Sequence, residues 1–293
     1  MSYLSNKMDI LKGAFMGNLM KLKALYDIRI RKSIRLSAQQ DTSVIVSLTS
    51  YDKRVNSSVV YTIYSLIQQT IRPERIVLWL NEQKFCNENL PGNLRFLCNY
   101  GLEIRYAKDI RSYTKIIHAL SEFADKHIIT VDDDVFYGRL LVQELIEAHN
   151  KHPQAIITNY AKMPTTDIHS KLEPYIKWPE YYHASAGLSY DSAKLFPLGV
   201  GGVFYPSHVF DEEVKNEAVF TRLCPNADDV WLYVMGLRCK AEKRILTNSR
   251  INCYHTDLLR QYFTHDRLTN SNRIGGENDT QLQALLTHYN MTI

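Results

Sequence analysis

Three consecutive carboxylates, Asp132, Asp133 and Asp134, follow directly after the apolar segment IITV. Neighbouring carboxylates repel one another, and a buried strand end screens that repulsion poorly. Asp132 and Asp134 are two residues apart, so in an extended chain their side chains point the same way and can face one cation. Oxygen ligands of this kind suit Mg²⁺ or Mn²⁺, which keep positions open for phosphate oxygens. The spacing predicts a metal site shared with a diphosphate; the alternative is a solvated, Asp-rich turn.

Alternating strand and helix patterns surround this segment. Apolar runs typical of buried strands are SVIVSLTS, RIVLWL, LEIRYA, HIITV and QAIIT, and between them lie segments with helical period such as SSVVYTIYSLIQQT and SYTKIIHALSEFADK. This alternation, with short connections, predicts an α/β fold with a mainly parallel sheet flanked by helices. Ligands of such sheets bind beyond the carboxyl ends of the strands, so SLTSYDKR and VDDDVF are expected at one crevice.

The N-terminal segment differs from the rest, and we predict an arm over residues 1–42 followed by a single domain over residues 43–293. Apolar residues recur in the arm at steps of three and four, which predicts an amphipathic helix with one apolar stripe: Leu4, Met8, Leu11, Phe15, Leu19, Leu22 and Tyr26. Residues 1–36 carry eight basic and two acidic side chains, a net charge of +6 within a total of +4. The pattern indicates either a helix on an anionic membrane surface or a helix that packs on the body or mediates oligomerisation.

Composition narrows the class of protein. The chain has 293 residues, of which 45% are hydrophobic and 23% charged, as in a globular protein. No run approaches about 20 apolar residues, and we find no secretory signal. The five cysteines show neither a CxxC pair nor a disulfide framework, which fits a reducing cytosol and does not indicate zinc. We therefore expect a cytoplasmic protein, with peripheral association at the inner face of the plasma membrane as an option.

Residues 43–256 resemble the GT-A fold nucleotide-sugar glycosyltransferases, most closely bacterial enzymes that build capsule or lipopolysaccharide glycans. The resemblance lies in four ordered signals: the aspartates of VDDDVFY, the glycine-rich GVGG, the acidic pair in NADDVW, and the late histidine in NCYHTD. It implies a GT-A, Rossmann-like fold. It also implies metal-dependent transfer of a sugar from a nucleoside diphosphate donor, for which we expect UDP.

In that family the Asp-x-Asp motif holds a divalent metal that bridges the two phosphates of the donor. By position, the resemblance implies Asp132 and Asp134 as ligands of Mn²⁺ or Mg²⁺, with His255 completing the shell and Asp133 meeting the donor ribose or sugar. The family's glycine-rich loop matches Gly201 and Gly202, which would let the backbone approach the donor sugar or acceptor; the alternative is a tight turn.

The acidic pair matches the catalytic base of inverting members, which takes the proton from the acceptor hydroxyl. We assign Asp229 as this base and Asp228 as a supporting acid, with the reverse assignment open. An apolar helix follows the pair, so either aspartate could instead cap that helix.

Further candidates come from the first strand end, from the helix that contains TKIIHAL, and from the aromatic segment near residue 178. The donor-binding candidates are Thr49, Ser50, Tyr51, Arg54, Tyr113 and Lys115. A lysine or arginine there would neutralise the leaving phosphates, although Arg54 and Lys115 could equally be surface cations. Trp178 and Trp231 are the candidates for contact with acceptor sugar rings; the alternative is plain packing.

The sequence thus predicts a metal-dependent, inverting glycosyltransferase that acts on a growing bacterial surface polysaccharide or lipopolysaccharide, with a saccharide or lipid-linked saccharide acceptor. One alternative is a non-catalytic glycan-binding relative. Another is a haloacid dehalogenase-type phosphatase, whose motif normally has Thr or Val where this chain has Phe136. Because the basic residues lie in one arm, no nucleic-acid partner is expected. The oligomeric state is not predicted.

Overall fold

The computed structural model of the protein describes residues 3–182, 184, 187–256 and 276–293, with side chains from residue 13 onward. The chain forms two compact units, each built from separate segments. The first unit comprises Met1–Asp109, Val131–Gln143 and Arg250–His265. The second unit comprises Ile110–Thr130, Glu144–Ser249 and Asp266–Ile293.

Helices and strands alternate along most of the described chain. The α-helices are α1 Tyr3–Leu25, α2 Asp52–Val55, α3 Val59–Ile67, α4 Gly92–Cys98, α5 Thr114–Glu122, α6 Leu141–Lys151, α7 Glu217–Leu223, α8 Asp228–Arg238 and α9 Glu277–His288. The strands are β1 Gln40–Thr49, β2 Arg72–Asn81, β3 Leu102–Ala107, β4 His127–Thr130, β5 Val135–Tyr137, β6 Ile156–Thr158, β7 Tyr160–Lys162, β8 Glu180–Tyr182, β9 Phe196–Pro197, β10 Val203–Tyr205, β11 Lys243–Ile245 and β12 Cys253–His255. A π-helical turn, Tyr26–Arg31, follows α1.

In the first unit, β1, β2 and β3 pair in parallel in the order β1-β2-β3. Five consecutive residues of β1, from Val44 to Leu48, are buried, and so are five consecutive residues of β2. Burial of successive residues means that both faces of these strands are covered, as is typical of parallel sheets. The Trp79 indole N–H of β2 donates to the Ser47 hydroxyl of β1 at 2.9 Å, which satisfies both polar groups within the core.

A separate two-stranded ribbon in the first unit, made of β5 and β12, follows directly after the aspartates. Strand β5, which begins one residue after Asp134, pairs antiparallel with β12. The two backbones come close at Gly138, whose N–H donates to the Asn252 carbonyl at 2.8 Å. A Cβ at Gly138 would lie 2.9 Å from Asn252 N and 3.0 Å from Asn252 O, so only glycine fits this approach.

In the second unit, the strand order is β11-β6-β10-β4. Strand β11 runs parallel to β6, whereas β10 is antiparallel to both β6 and β4. Helix α8 is buried from Val230 to Gly236, which explains the continuous apolar stretch VWLYVMG. Strands β8, β7 and β9 form a small antiparallel sheet in the aromatic segment.

The predicted α/β architecture is confirmed: the protein has a mainly parallel central sheet flanked by helices, as is typical of Rossmann-like folds. The predicted strand end SLTSYDKR includes the last three residues of β1, and VDDDVF directly follows β4. Among the described residues, no helix is both long and apolar enough to cross a membrane.

The contact at Gly138 predicts a selective loss of stability. Gly138→Ala places a methyl group against the Asn252 backbone, which has to move, and we expect the free energy of unfolding to fall by about 1–3 kcal/mol. Gly92→Ala is the matched control, because a Cβ there has no heavy atom within 4 Å, and we expect a change within about 0.5 kcal/mol. Urea unfolding followed by circular dichroism measures both. Equal effects of the two substitutions would contradict the close approach.

Candidate active site

The first unit gathers three of the predicted residues around the carboxylate of Asp133, which is buried. The Ser50 hydroxyl donates to Asp133 Oδ2 at 2.6 Å, and Arg54 Nη1 donates to Asp133 Oδ1 at 2.5 Å. Arg54 Nη2 lies 3.1 Å from Oδ2 of Asp134. Ser50 directly follows β1 and Arg54 lies in α2, so the end of the first strand supplies the partners of the aspartate segment.

Burial and charge act in opposite directions on these groups. Burial raises the pKa of Asp133 to about 6, because the Arg54 charge only partly offsets the loss of solvation and the Asp134 carboxylate adds repulsion. Burial also lowers the pKa of Arg54, but the carboxylates of Asp133 and Asp134 outweigh it, and this pKa lies above its usual value. The segment thus carries three consecutive carboxylates, and the Arg54 guanidinium contacts those of Asp133 and Asp134.

The segment that bears the carboxylates is fixed by backbone contacts. The Asp132 N–H donates to the Tyr137 hydroxyl at 2.9 Å, within the same turn. The N–H of Thr256 donates to the Asp134 carbonyl at 2.8 Å, and His255 stands opposite Val135 in the ribbon. The structure therefore brings the backbone of His255 next to that of the aspartate segment, although the two are more than a hundred residues apart in sequence.

The residues fit a divalent cation in part. Carboxylate oxygens of Asp132 and Asp134 are suitable ligands, and Mg²⁺ is commonly held by one or two carboxylates together with substrate phosphates. Within the part of the chain that the structure describes, however, no three His, Cys, Asp or Glu side chains are grouped so that they could hold a metal ion together. The set of Asp132, Asp134 and His255 as three simultaneous ligands therefore stays a prediction.

The other predicted donor residues of the first unit differ in exposure. The Thr49 hydroxyl donates to the Trp79 carbonyl at 3.1 Å and thus joins β1 to β2. Tyr51 is 54% exposed, and the Arg54 guanidinium carbon lies 5.1 Å from the centre of its ring. Tyr51 therefore presents an aromatic ring to solvent beside the charged cluster, where a base or a sugar could contact it.

In the second unit, Lys115 and Asp228 form a buried ion pair. Lys115 Nζ lies 3.2 Å from Asp228 Oδ2, and both residues are less than a tenth exposed. Tyr113, also buried, donates its hydroxyl to the Cys224 carbonyl and stacks on Phe220, and burial raises its pKa. The charge of Lys115 is thus balanced by Asp228 inside the unit. The Tyr113 hydroxyl binds the backbone of the loop that precedes α8.

Asp229 differs from its neighbour because it is only partly buried. Its carboxylate accepts the N–H of Gly199 at 3.2 Å, and a Cβ at Gly199 would lie 2.8 Å from Asp229 Oδ1. Neither Asp228 nor Asp229 caps α8 with its side chain, since the N-cap residue is Ala227. Both acids lie in the first turn of α8, where a negative charge interacts favourably with the helix dipole.

The glycine-rich segment contributes a contact to Asp229 through a glycine outside the predicted pair, and the proposed approach of Gly201 and Gly202 to a sugar stays a prediction. Gly199, which was not among the predicted site residues, is the glycine that contacts Asp229. Gly201 packs against the Tyr160 ring, where a Cβ would come within 2.8 Å, and Gly202 has φ of +86°, which favours glycine. The signal in the sequence is the first glycine of LGVGG, two residues before the GG pair.

The two tryptophans predicted to contact the acceptor lie in the core. Trp178 is 2% exposed and donates its indole N–H to the Glu173 carbonyl, and Trp231 is 0% exposed and donates to the Val214 carbonyl. Side chains buried to this degree offer no ring face to a sugar. The structure thus favours the packing alternative for both residues.

No family model matches this chain, and no curated protein matches it. Among solved structures, that of S. aureus TarS residues 1–349 is similar, with a TM-score of 0.47 and 10% sequence identity. The alignment covers 85% of this chain and 72% of that one.

The Arg54 cluster predicts a large effect from a single substitution. Arg54→Met leaves the Asp133 carboxylate buried without its guanidinium, and we expect the free energy of unfolding to fall by about 2–4 kcal/mol. Arg75→Met is the control: Arg75 is as exposed as Arg54, at 36% against 35%, but its partners Glu74 and Glu103 are 21% and 31% exposed, against 6% for Asp133. The loss there should stay below about 1 kcal/mol.

Urea unfolding of both single variants and of Arg54→Met combined with Asp133→Asn gives the comparison. In the double variant no charge is buried at position 133, so much of the lost stability should return. A loss for Arg54→Met no greater than for Arg75→Met would show that the buried pair does not hold this segment.

Proposed function

We propose that the protein is a metal-dependent glycosyltransferase that transfers a sugar, with inversion, from a nucleoside diphosphate donor to a growing bacterial surface glycan. The observation that carries this proposal is the Asp132–Asp134 segment, three consecutive carboxylates of which Asp133 and Asp134 contact the guanidinium of Arg54. This arrangement suits a divalent cation and the diphosphate that accompanies it.

In this proposal, Asp132 and Asp134 hold the cation, which would neutralise the charge that develops on the leaving diphosphate. Asp133, already bound by Ser50 and Arg54, orients the segment rather than contacting the donor. Tyr51 stands next to Arg54 with its ring exposed, and we assign it to the donor nucleoside. UDP is the nucleotide we propose.

We assign Asp229 as the general base that takes the proton from the acceptor hydroxyl. A general base must reach the hydroxyl, and Asp229 is partly exposed, whereas Asp228 is buried and paired with Lys115. The Gly199 N–H orients the Asp229 carboxylate through one of its oxygens, Oδ2. Asp228 and Lys115 act as supports for the start of α8 rather than as reacting groups.

The glycan-binding alternative loses its main candidates, because a sugar-binding platform needs exposed aromatic rings and both Trp178 and Trp231 are buried. Under this alternative, the protein should bind a glycan but no nucleotide. Calorimetry with nucleotides therefore separates the two functions.

Calorimetric titration of UDP, GDP, dTDP and CMP, with and without Mn²⁺, tests the donor assignment. We expect one nucleotide, UDP, to bind with a strong requirement for Mn²⁺, and Asp134→Ala to weaken that binding by about 10- to 100-fold or more. Asp125→Ala is the control, since this carboxylate is 93% exposed and belongs to the second unit, and it should leave the affinity unchanged. Absence of nucleotide binding under every condition would refute the donor assignment.

The base assignment is tested by comparing Asp229→Asn with Asp228→Asn. We expect Asp229→Asn to lower kcat by about 10²- to 10⁴-fold while the affinity for the nucleotide and the thermal midpoint change little. Asp228→Asn removes the carboxylate that pairs with the buried Lys115 and should mainly lower stability. Single-turnover rates and thermal unfolding of both variants decide the question, and a kcat loss confined to Asp228→Asn would reverse the assignment.

A further inference from the structure

The arm carries a row of large apolar side chains on its outer face. Phe15, Leu19, Leu22, Tyr26 and Ile30 are between 50% and 71% exposed. They are spaced by four, three, four and four residues, which keeps them on one face of the helix. We call these five residues the apolar stripe. The rest of the predicted stripe, Leu4, Met8 and Leu11, lies outside the described side chains.

The helix packs on the first unit through its opposite face, which is made of small and buried residues. A Cβ at Gly17 would lie 2.9 Å from the His255 carbonyl oxygen, so α1 runs close against the end of β12. Ala24 and Ile28 are 0% and 4% exposed, and the buried Asp27 carboxylate accepts the Tyr64 hydroxyl. The arm thus packs on the first unit without using the stripe. A helix that packed through its apolar face would have buried these side chains instead.

A basic cavity of about 790 Å³ opens beside the arm, within the first unit. Its lining includes four cationic side chains, Lys23, Arg31, Arg35 and Arg139, and one carboxylate, Asp27, a formal net charge of +3. Asp27 is already engaged by Tyr64 and lies 3.8 Å from Arg31. A guanidinium group can bind two oxygens of one phosphate at the same time, so the cavity suits a phosphate group.

Lys23 lines the cavity and directly follows Leu22 of the stripe, so the apolar and the phosphate-binding features are neighbours on one surface. We propose that this surface docks on an anionic phospholipid bilayer. The apolar stripe enters the boundary between headgroups and acyl chains, and the basic cavity takes the phosphate of a lipid headgroup. This proposal goes beyond the transfer reaction and does not depend on it.

Charge distinguishes a bilayer from a second copy of the chain as the occupant. A symmetric dimer through the stripe would set the same patch against itself, and the cations that flank it would face each other. Like charges across an interface oppose association, whereas anionic headgroups attract all four cations of the cavity. The surface therefore fits an anionic membrane better than its own copy.

Flotation of the full chain with vesicles tests the proposal. Vesicles of phosphatidylglycerol and phosphatidylcholine in equal amounts should bind the protein, and vesicles of phosphatidylcholine alone should bind it at least about tenfold more weakly. Leu19→Ser with Leu22→Ser removes part of the stripe, and we expect partitioning to fall by about tenfold or more. Arg31→Gln with Arg35→Gln removes two cavity cations and should abolish most of the preference for the anionic vesicle.

The matched control is Ile168→Ser with Lys171→Gln, which removes one exposed apolar and one exposed basic side chain far along the sequence in the second unit. It should bind vesicles as the wild type does. Binding that is insensitive to the stripe substitutions overturns the proposal, and so does a dimer in light scattering that dissociates on stripe substitution while no vesicle is bound. Nucleotide titration of each variant separates failure of the membrane proposal from failure of the donor assignment. The stripe and cavity variants should bind nucleotide as the wild type does.

Discussion

The guanidinium of Arg54 is the charge on which the first unit depends. An ionised carboxylate buried without a partner costs several kcal/mol, and Asp133 is buried, at 5% exposed. Arg54 and Ser50 make its burial tolerable by supplying two hydrogen bonds to its oxygens. One partner directly follows β1 and the other lies in α2, so the end of the first strand holds the aspartate segment. Arg54 also contacts Asp134, so one guanidinium joins two of the three carboxylates of the segment.

The second unit illustrates how two adjacent acids acquire different properties from their surroundings. Asp228 points to Lys115 and is buried, whereas Asp229 meets a backbone N–H and stays partly exposed. Adjacent residues at the start of a helix project in different directions, so one can be enclosed by packing while the other faces outward. A pair of carboxylates with unlike environments is a common basis for dividing supporting and reacting roles within a site.

The sequence predicted the fold class because uninterrupted apolar runs mark strands that are buried on both faces, as in β1 and β2. It also indicated which residues carry charge at the strand ends. It could not predict the pairing of Arg54 with Asp133, which joins residues 79 positions apart through the fold. Nor could composition separate a buried from an exposed aromatic ring, as with Trp178 and Tyr51. The helical period of the arm predicted an amphipathic helix, but Gly17 and Ala24, which carry little hydrophobic signal, determine the face that docks.

The ribbon of β5 and β12 has a consequence for the order of events during synthesis. Asp134 and Thr256 are 122 residues apart, and at a ribosomal rate of 5–20 residues per second the second strand follows the first by roughly 6–24 s. Arg54 has already been made by then, so the guanidinium can reach the aspartates long before β12 arrives. The aspartate segment, although central in the chain, is therefore among the last parts of its unit to be completed, and a nascent chain displays an unpaired edge of β5 in the interval.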